Sequence, residues 1–345
     1  MKAVIFQDVG DFRVREVPAP TISRPDEALV RITLSAICGS DLHIFHGRTP
    51  VDQGAVLGHE FVGVIEAVGA SVSRFQVGDR VVSSFFTACG VCPLCRRGWF
   101  AQCREKRTFG HGEYFGALSG GQAEYCVVPH ADRTLEPIPE AVSDEQAVFV
   151  GDVLATAYFG AERAEIQPGD TVAVIGAGPV GLLSIMTAQL FGPARVFAVD
   201  MVADRLRLAE QLGAIPIDAG ETHAVSAIQE ATGDIGADAS IECVGVMPSV
   251  ETAIECVRGG GTISMVGVPA EVNAEFPYLQ AWMRDLTFRA GWCNVQAYMR
   301  RLLDLIAAGR LHPEHVISHR MKLGEAEEAY RLFNERKATK VVLTP

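Results

Sequence analysis

The chain has 345 residues, 48% of them hydrophobic, which is long for one domain and ample for two buried cores. Its 30 basic and 42 acidic residues give a net charge of −12, which argues against nucleic acid or an anionic membrane surface as a partner. No apolar run is long enough to span a bilayer, and the N-terminus MKAVIFQDVGDF lacks the apolar core and cleavage site of a signal peptide, so a soluble cytoplasmic protein is expected.

Residues 1–37 read as β-structure, with MKAVIFQ, FRVREVP and EALVRITLSAI separated by Gly and Pro. FVGVIEAVG (61–69), DRVVSSFF (79–86) and GGQAEYCVVP (120–129) continue the pattern, which suggests a compact β-rich, barrel-like domain. Near residue 150 strands begin to alternate with helices, the sign of a doubly wound parallel sheet. TVAVIGAG (171–178), RVFAVD (195–200), DASIECVG (238–245), GTISMVGV (261–268) and LTFRAGW (286–292) read as its strands. Helices are expected at 179–191 and 204–213. The tail adds amphipathic helices at 297–309 and 322–335 and a last strand, KVVLTP, and is expected to pack back on the first domain. The boundaries expected are 1–154, 155–292 and 293–345.

Four of the nine cysteines crowd into one loop as Cys89-x2-Cys92-x2-Cys95-x7-Cys103. Four thiols so spaced can wrap a tetrahedral ion with no open position, which is a structural zinc site. Buried free cysteines would sit in apolar surroundings, whereas Arg96, Arg97, Arg104 and Lys106 share this run. The lobe 89–103 is then a polar loop held by its metal.

Gly176-x-Gly178-x-x-Gly181 follows a strand and opens a helix. In that context Gly176 allows the tight turn, Gly178 lets the backbone approach a pyrophosphate, and Gly181 lets helix and strand pack closely. The helix N-terminus supplies amide donors and partial positive charge. Asp200 ends the next strand, where a carboxylate can bind the adenosine ribose of a dinucleotide.

Between Cys38 and Glu60 lie a thiolate donor, an imidazole donor (His59), a hydroxyl (Ser40) and a second histidine (His43). Thiolate with imidazole is a zinc-favouring set, and a catalytic zinc keeps one position open, so a third ligand is needed from elsewhere. Alone, Cys38 reads as a buried small hydrophobe, and Ser40 and His43 as part of a helix start. Asp152, in VGDVLAT, reads as a ligand or an N-cap, and the pattern alone does not choose it over other acids.

CGSD at 38–41, GHE at 58–60 followed by FVGVIEAVG, GDRV at 78–81, the four-cysteine lobe and VIGAGPVG resemble the zinc-dependent medium-chain alcohol dehydrogenase family, in order and over essentially the whole chain. The resemblance implies an α/β protein made of a GroES-like β-rich catalytic domain, a Rossmann doubly wound parallel sheet and a C-terminal return to the first domain. It implies catalytic zinc on Cys38, His59 and Asp152, with Glu60 as an alternating ligand or a carboxylate just behind the metal. The aspartate at the third position is similar to bacterial tetrameric secondary-alcohol dehydrogenases. The same resemblance places Thr156 and Val180 on a nicotinamide, and Val266, Gly267 and Val268 at its carboxamide. It places Arg205 near the adenosine ribose and Lys340 near the pyrophosphate, and Val244 joins this cofactor-binding set. Thr49, Phe85 and Phe109 are expected to flank the zinc as a substrate pocket. Cys103 runs quickly into GGQAEY, without the long insertion of dimeric enzymes, which leans towards a homotetramer.

The function implied is hydride transfer between a primary or secondary alcohol and NAD, with two zincs per chain. The bound alcohol's proton leaves through Ser40, the cofactor ribose and His43. A polyol, threonine or formaldehyde on the same scaffold is a rival substrate. A catalytically silent relative that keeps only the nucleotide is a rival of another class.

Overall fold

A computed structural model describes residues 1–270, 273 and 275–345 of the chain. Two compact units emerge, Met1–Ala155 with Asn294–Pro345, and Thr156–Cys293.

The first unit is built on a seven-stranded sheet. Its spine runs His319–Lys322, Val341–Thr344, Ala28–Ala36, Glu60–Val68, Arg80–Ser83 and Leu135–Pro137, and Tyr125–Val128 also pairs with Ala28–Ala36. The first two strands are parallel to each other, and the remaining pairings are antiparallel. Ala28–Ala36 alternates apolar inward positions, and Ala28, Val30 and Ile32 meet Phe61, Ile65, Val81 and Val128 in one core. A second core joins Val4, Phe6 and Phe12 of the N-terminal hairpin to Tyr330, Phe333 and Leu343 of the tail. The run expected as one strand over 79–86 forms a strand only over Arg80–Ser83, because Phe85 donates its amide to the Gly151 carbonyl instead, and Phe86 makes an isolated bridge to Thr108.

The second unit is a six-stranded parallel sheet. Its order is Ile215–Asp218, Arg195–Asp200, Thr171–Ile175, Ala237–Glu242, Val257–Met265 and Thr287–Ala290. The direction of winding reverses between Thr171–Ile175 and Ala237–Glu242, and in such sheets ligands bind beyond the strand C-termini at that point. Thr171–Ile175 is buried throughout, as a strand covered on both faces must be. The helices Val153–Arg163, Ala224–Ala231 and Met247–Glu255 lie outside the sequence expectation. The last two open without a Ser, Thr, Asp or Asn cap: His223 precedes one and Val246 the other. Among the described residues no helix is long and apolar enough to cross a membrane.

Candidate active site and nucleotide site

The sheet register assembles the metal candidates. Ala36 pairs with Glu60 on one side and Val342 on the other, so Cys38, His59 and Lys340 all lie within two residues of one rung. Asp152 arrives from a different element. A Cβ on Gly151 would lie 1.8 Å from the Ser83 carbonyl oxygen, so only glycine lets this turn press against the strand and deliver Asp152.

Cys38 Sγ, His59 Nε2 and one oxygen each of Glu60 and Asp152 fall within 4.8 Å of one another, all buried. Asp152 Oδ2 lies 3.5 Å from Cys38 Sγ and 3.1 Å from His59 Nε2. Donors on a tetrahedral zinc with bonds of about 2.0–2.3 Å are separated by about 3.3–3.8 Å. Soft sulfur, imidazole and carboxylate at this spacing fit zinc.

The surroundings hold His59 in one orientation. Its Nδ1 faces Asp41 Oδ1 at 3.3 Å, which leaves Nε2 for the cluster. Burial works against charge on His59, but Asp41, Cys38 and Asp152 outweigh it and hold its pKa well above the ordinary imidazole range. Burial pushes the Cys38 thiol up to about 11, with Asp152 and Glu60 adding to it. A dication among these donors reverses that balance, because a coordinating thiol is deprotonated.

Asp41 is itself gripped. Its Oδ2 accepts from the Cys38 amide at 3.0 Å, lies 3.3 Å from Gln122 Nε2 and 3.1 Å from the Tyr330 hydroxyl. Tyr330 sits in the helix Ala326–Asn334, so the tail reaches the histidine through one carboxylate. Asp41 is visible in CGSD, but nothing in the sequence marks Gln122 or Tyr330 as its partners.

Ser40 Oγ lies 3.2 Å from His59 Nε2, at the edge of the cluster. His43 is half-buried in the helix Asp41–Phe45, and burial, then Arg48 and His46, lowers its pKa. Its carbonyl accepts from the Thr49 amide, so Thr49 folds back on the His43 turn. Phe85 presents its ring to His59 at 6.2 Å and 72°.

Phe109 is a correction. Its ring is fully buried against Phe61, 5.3 Å away, in the core of the first unit and does not face the metal candidates. Burying that apolar ring leaves His111, two residues on, to pack 4.8 Å from the His59 ring. The His111 Nδ1–H donates to the Phe109 carbonyl, and burial lowers its pKa to about 4.

Lys340 is the second correction. Its ammonium is fully buried and donates to Glu60 Oε1 at 2.8 Å, so it does not stand at a surface where a pyrophosphate could reach it. Phe149 covers it, with the ring centroid 5.6 Å from Nζ.

In the second cluster, Cys89, Cys92, Cys95 and Cys103 bring their sulfurs within 4.8 Å of one another. Sulfurs on a tetrahedral zinc with bonds of about 2.3 Å lie about 3.8 Å apart. Cys89 and Cys103 stand 3.6 Å apart, too far for a disulfide and close to that value. The Cys89 and Cys95 amides point at the sulfurs of Cys103 and Cys92, and the Cys95 amide leads in lowering the Cys92 pKa to about 6. This donor set fits a closed site.

In the second unit Gly176 has φ +90, and a Cβ on Gly181 would meet the Gly176 carbonyl oxygen at 1.7 Å. Gly178 is open, its nearest neighbour being Arg205 Nη1 at 3.9 Å from an added Cβ. Asp200 Oδ2 accepts from the Ala177 amide at 2.7 Å, and Oδ1 accepts from Met201 and Val202. Arg205 Nη1 stands 3.7 Å from Asp200 Oδ2. Val244 and Val268 are exposed, Val266 is buried, and Val180 is half-buried beside the glycine turn. Gly160, one turn after Thr156 on the same helix face, packs against Val266.

Sequence reasoning missed Glu242, which ends the strand Ala237–Glu242. Its Oε1 accepts from the amides of Val244 and Gly245 and from Ser249 Oγ, at 2.7–2.8 Å, and so shapes the Val244 turn. A cavity of about 530 Å³ lined by Asp170, Asp238, Arg258 and Thr262 opens at the N-terminal ends of the strands, the end away from the glycine turn, and has no part in this site.

Comparison with known proteins agrees over both units. Residues 24–140 match the alcohol dehydrogenase GroES-like domain, and residues 179–308 match the zinc-binding dehydrogenase domain. The zinc-type alcohol dehydrogenase B of Aspergillus flavus is 37% identical, over 99% of this chain and 81% of that protein. The solved alcohol dehydrogenase TADH of Thermus sp. ATN1 is 46% identical with a TM-score of 0.96, covering 100% of this chain and 99% of that one. A Sinorhizobium meliloti protein solved with NADP bound is 32% identical with a TM-score of 0.88, covering 100% and 99% of the two chains. The chain therefore belongs to the zinc-dependent medium-chain alcohol dehydrogenase family, as an enzyme that interconverts alcohols and carbonyls with zinc and a nicotinamide cofactor.

Proposed function

We propose that this enzyme prefers NAD, holds two zinc ions per chain and oxidises primary or secondary alcohols reversibly as a cytoplasmic homotetramer. The observation that carries the reading is the buried cluster of Cys38, His59, Glu60 and Asp152. An ion there supplies a Lewis acid that lowers the pKa of an alcohol oxygen, and the nicotinamide supplies the hydride acceptor. Cys38, His59 and Asp152 hold the ion, and Asp41 fixes the His59 tautomer that offers Nε2. Ser40 takes the alcohol proton at Oγ, and His43 passes it to solvent. Lys340 holds Glu60 beside the site, where it stands as an alternating ligand. Phe85 and Thr49 border the substrate. Cys89, Cys92, Cys95 and Cys103 hold a structural ion.

On the nucleotide side, the amides after Gly176 and Gly178 bind the pyrophosphate, and Asp200 binds the adenosine ribose with Arg205 beside it. Thr156, Val180, Val244 and Val266 to Val268 pack on the nicotinamide, where Gly181 draws helix and sheet together. Exposed Tyr278, Leu279, Trp282 and Met283 on the helix Tyr278–Met283, near the open edge strand Thr287–Ala290, support assembly. Nine cysteines with no disulfide among the described residues suit a reducing compartment.

Metal analysis of two variants, with a panel of alcohols, polyols and aldehydes read at the nicotinamide absorbance, tests the proposal. Cys38→Ser is expected to keep one zinc and its fold while losing turnover. Cys95→Ser is expected to lose stability or assembly. Near-normal turnover by a Cys38→Ser protein with one zinc would overturn the assignment of the catalytic ion. Strong activity on polyols alone would replace the alcohol substrate.

A further inference from the structure

Unabsorbed by this chemistry is a third group of metal-ligating side chains, in His312-Pro313-Glu314-His315. The segment forms one 3-10 turn, Pro313–Val316, entered from His312. Pro313 and Val316 are buried and pin the turn to the body of the first unit. A 3-10 helix repeats every three residues, so positions i and i+3 eclipse. His312 and His315 accordingly stack, with ring centroids 5.4 Å apart and planes 18° from parallel. Glu314 reaches the same spot: its Oε1 lies 3.4 Å from His312 Nδ1. One donor atom from each of the three side chains falls within 4.8 Å of the others.

The carboxylate is held from behind. Gln146 Nε2 donates to Glu314 Oε1 at 2.9 Å. Gln146 is fixed in turn, because its Oε1 accepts from the Ser143 amide while its own amide donates to Ser143 Oγ. Glu314 Oε2 is shielded from water and takes no hydrogen bond. A carboxylate with one oxygen anchored by a neighbour and the other lacking a partner, beside two imidazoles, is the arrangement in which metal ligands are found. A pair of stacked histidines with a surface ion pair would leave that oxygen unexplained.

We propose that His312, Glu314 and His315 form a peripheral site for a borderline divalent transition-metal ion such as zinc or nickel. Two imidazoles and a carboxylate select this class over magnesium or calcium, which take oxygen ligands. The donors already lie within 4.8 Å of one another, and closing them to about 3.3 Å around one ion needs only a small side-chain rotation of these partly exposed rings. The remaining positions stay open to water. The net charge of −12 favours any cation at the surface.

The test is titration of the purified holoenzyme with Ni²⁺ after loosely held metal has been removed on a chelating resin. Elemental analysis runs in parallel to count the resident zinc. The wild type is expected to take up one further equivalent of Ni²⁺ per chain. The His312→Ala/His315→Ala double variant should not take it up, with resident zinc and turnover unchanged. Gln146→Ala touches no ion and is expected to weaken uptake by about tenfold, as loss of a ligand's supporting hydrogen bond does. Equal uptake by wild type and double variant would overturn the proposal, as would no extra equivalent in the wild type at millimolar Ni²⁺. Should the double variant misfold, Glu314→Gln, which preserves shape and the Gln146 contact, gives the same reading.

Discussion

Lys340 and Glu60, 280 residues apart in the chain, meet at 2.8 Å as a pair with no exposed surface. Both flank Ala36: Glu60 pairs with it, and Lys340 precedes the strand whose Val342 pairs with it on the other side. Burial raises the Glu60 pKa and opposes the ammonium, yet Glu60 outweighs that burial and raises the Lys340 pKa, and we read the 2.8 Å contact as a charged pair. Removing one partner of a buried pair costs roughly 3–5 kcal/mol, because the other is left uncompensated. Lys340→Met is therefore expected to lower the thermal midpoint sharply, and Glu60→Gln with Lys340→Met to recover most of the loss. A double-mutant cycle on thermal midpoints checks this. Additive losses would mean that the two charges do not support each other.

Glu242 gives a test in the second unit. Its Oε1 gathers two amides and one hydroxyl, and its Oε2 sits 2.6 Å from where a Cβ on Gly267 would stand. The carboxylate thus spaces the Val244 turn from the Val266–Val268 turn. Hydrogen bonds to a charged group contribute about 1.5–3 kcal/mol each, so Glu242→Ala should loosen both turns. The expected outcome is cofactor affinity weakened at least tenfold with the metal content unchanged, read by titrating NADH fluorescence. Unchanged NADH affinity would remove Glu242 from the nucleotide site.

How far the sequence could be read depends on the range of the interaction. Cys89 to Cys103 are close in the chain, and their spacing alone is enough to expect the convergence of four sulfurs that the structure shows. The glycine turn is likewise local, and Gly176 and Gly181 carry the φ and the close approach that their positions ask for. Phe109 and Lys340 were misplaced because their surroundings are set by strands and turns far away in sequence. A phenylalanine near a metal motif can face the core as easily as the site. A lysine in the tail gives no sign that a buried glutamate awaits it. Tyr330, Gln122 and His111 were missed for the same reason.

His43 should behave as a proton relay with a defined pH signature. Burial lowers its pKa below the ordinary value of 6.5, with Arg48 and His46 adding to it, so the neutral, proton-accepting ring persists into mildly acid solution. His43→Gln is expected to keep the metal content and to slow alcohol oxidation chiefly below neutral pH. General acid–base catalysis is worth about 10²–10⁴-fold, and a half-buried relay belongs at the low end. The stability sign is opposite to that of a charged pair. The unfolded chain binds the proton more readily, so this group costs stability as pH falls below about 6.5, and the variant should lose that slope. Loss of one zinc in His43→Gln would make the residue a ligand and not a relay.

Cofactor choice turns on Asp200. A 2′-phosphate would bring a second negative charge to this carboxylate, while Met201 and Val202 offer no cation. Arg205, 3.7 Å away, is already drawn to Asp200 and stands near Gly178. NAD should therefore be preferred over NADP in kcat/KM with one good alcohol. Asp200→Gly with Val202→Arg removes the repulsion, frees Arg205 and adds a cation, so the ratio should move towards NADP by about tenfold or more. The same carboxylate also accepts the Ala177, Met201 and Val202 amides, which steady the glycine turn. Both kcat/KM values are thus expected to fall in the double variant even as their ratio shifts. Preference of the wild type for NADP would sink the role given to Asp200. An unchanged ratio in the variant, with both values lowered, would leave Asp200 as a support for the turn and move selectivity to another residue.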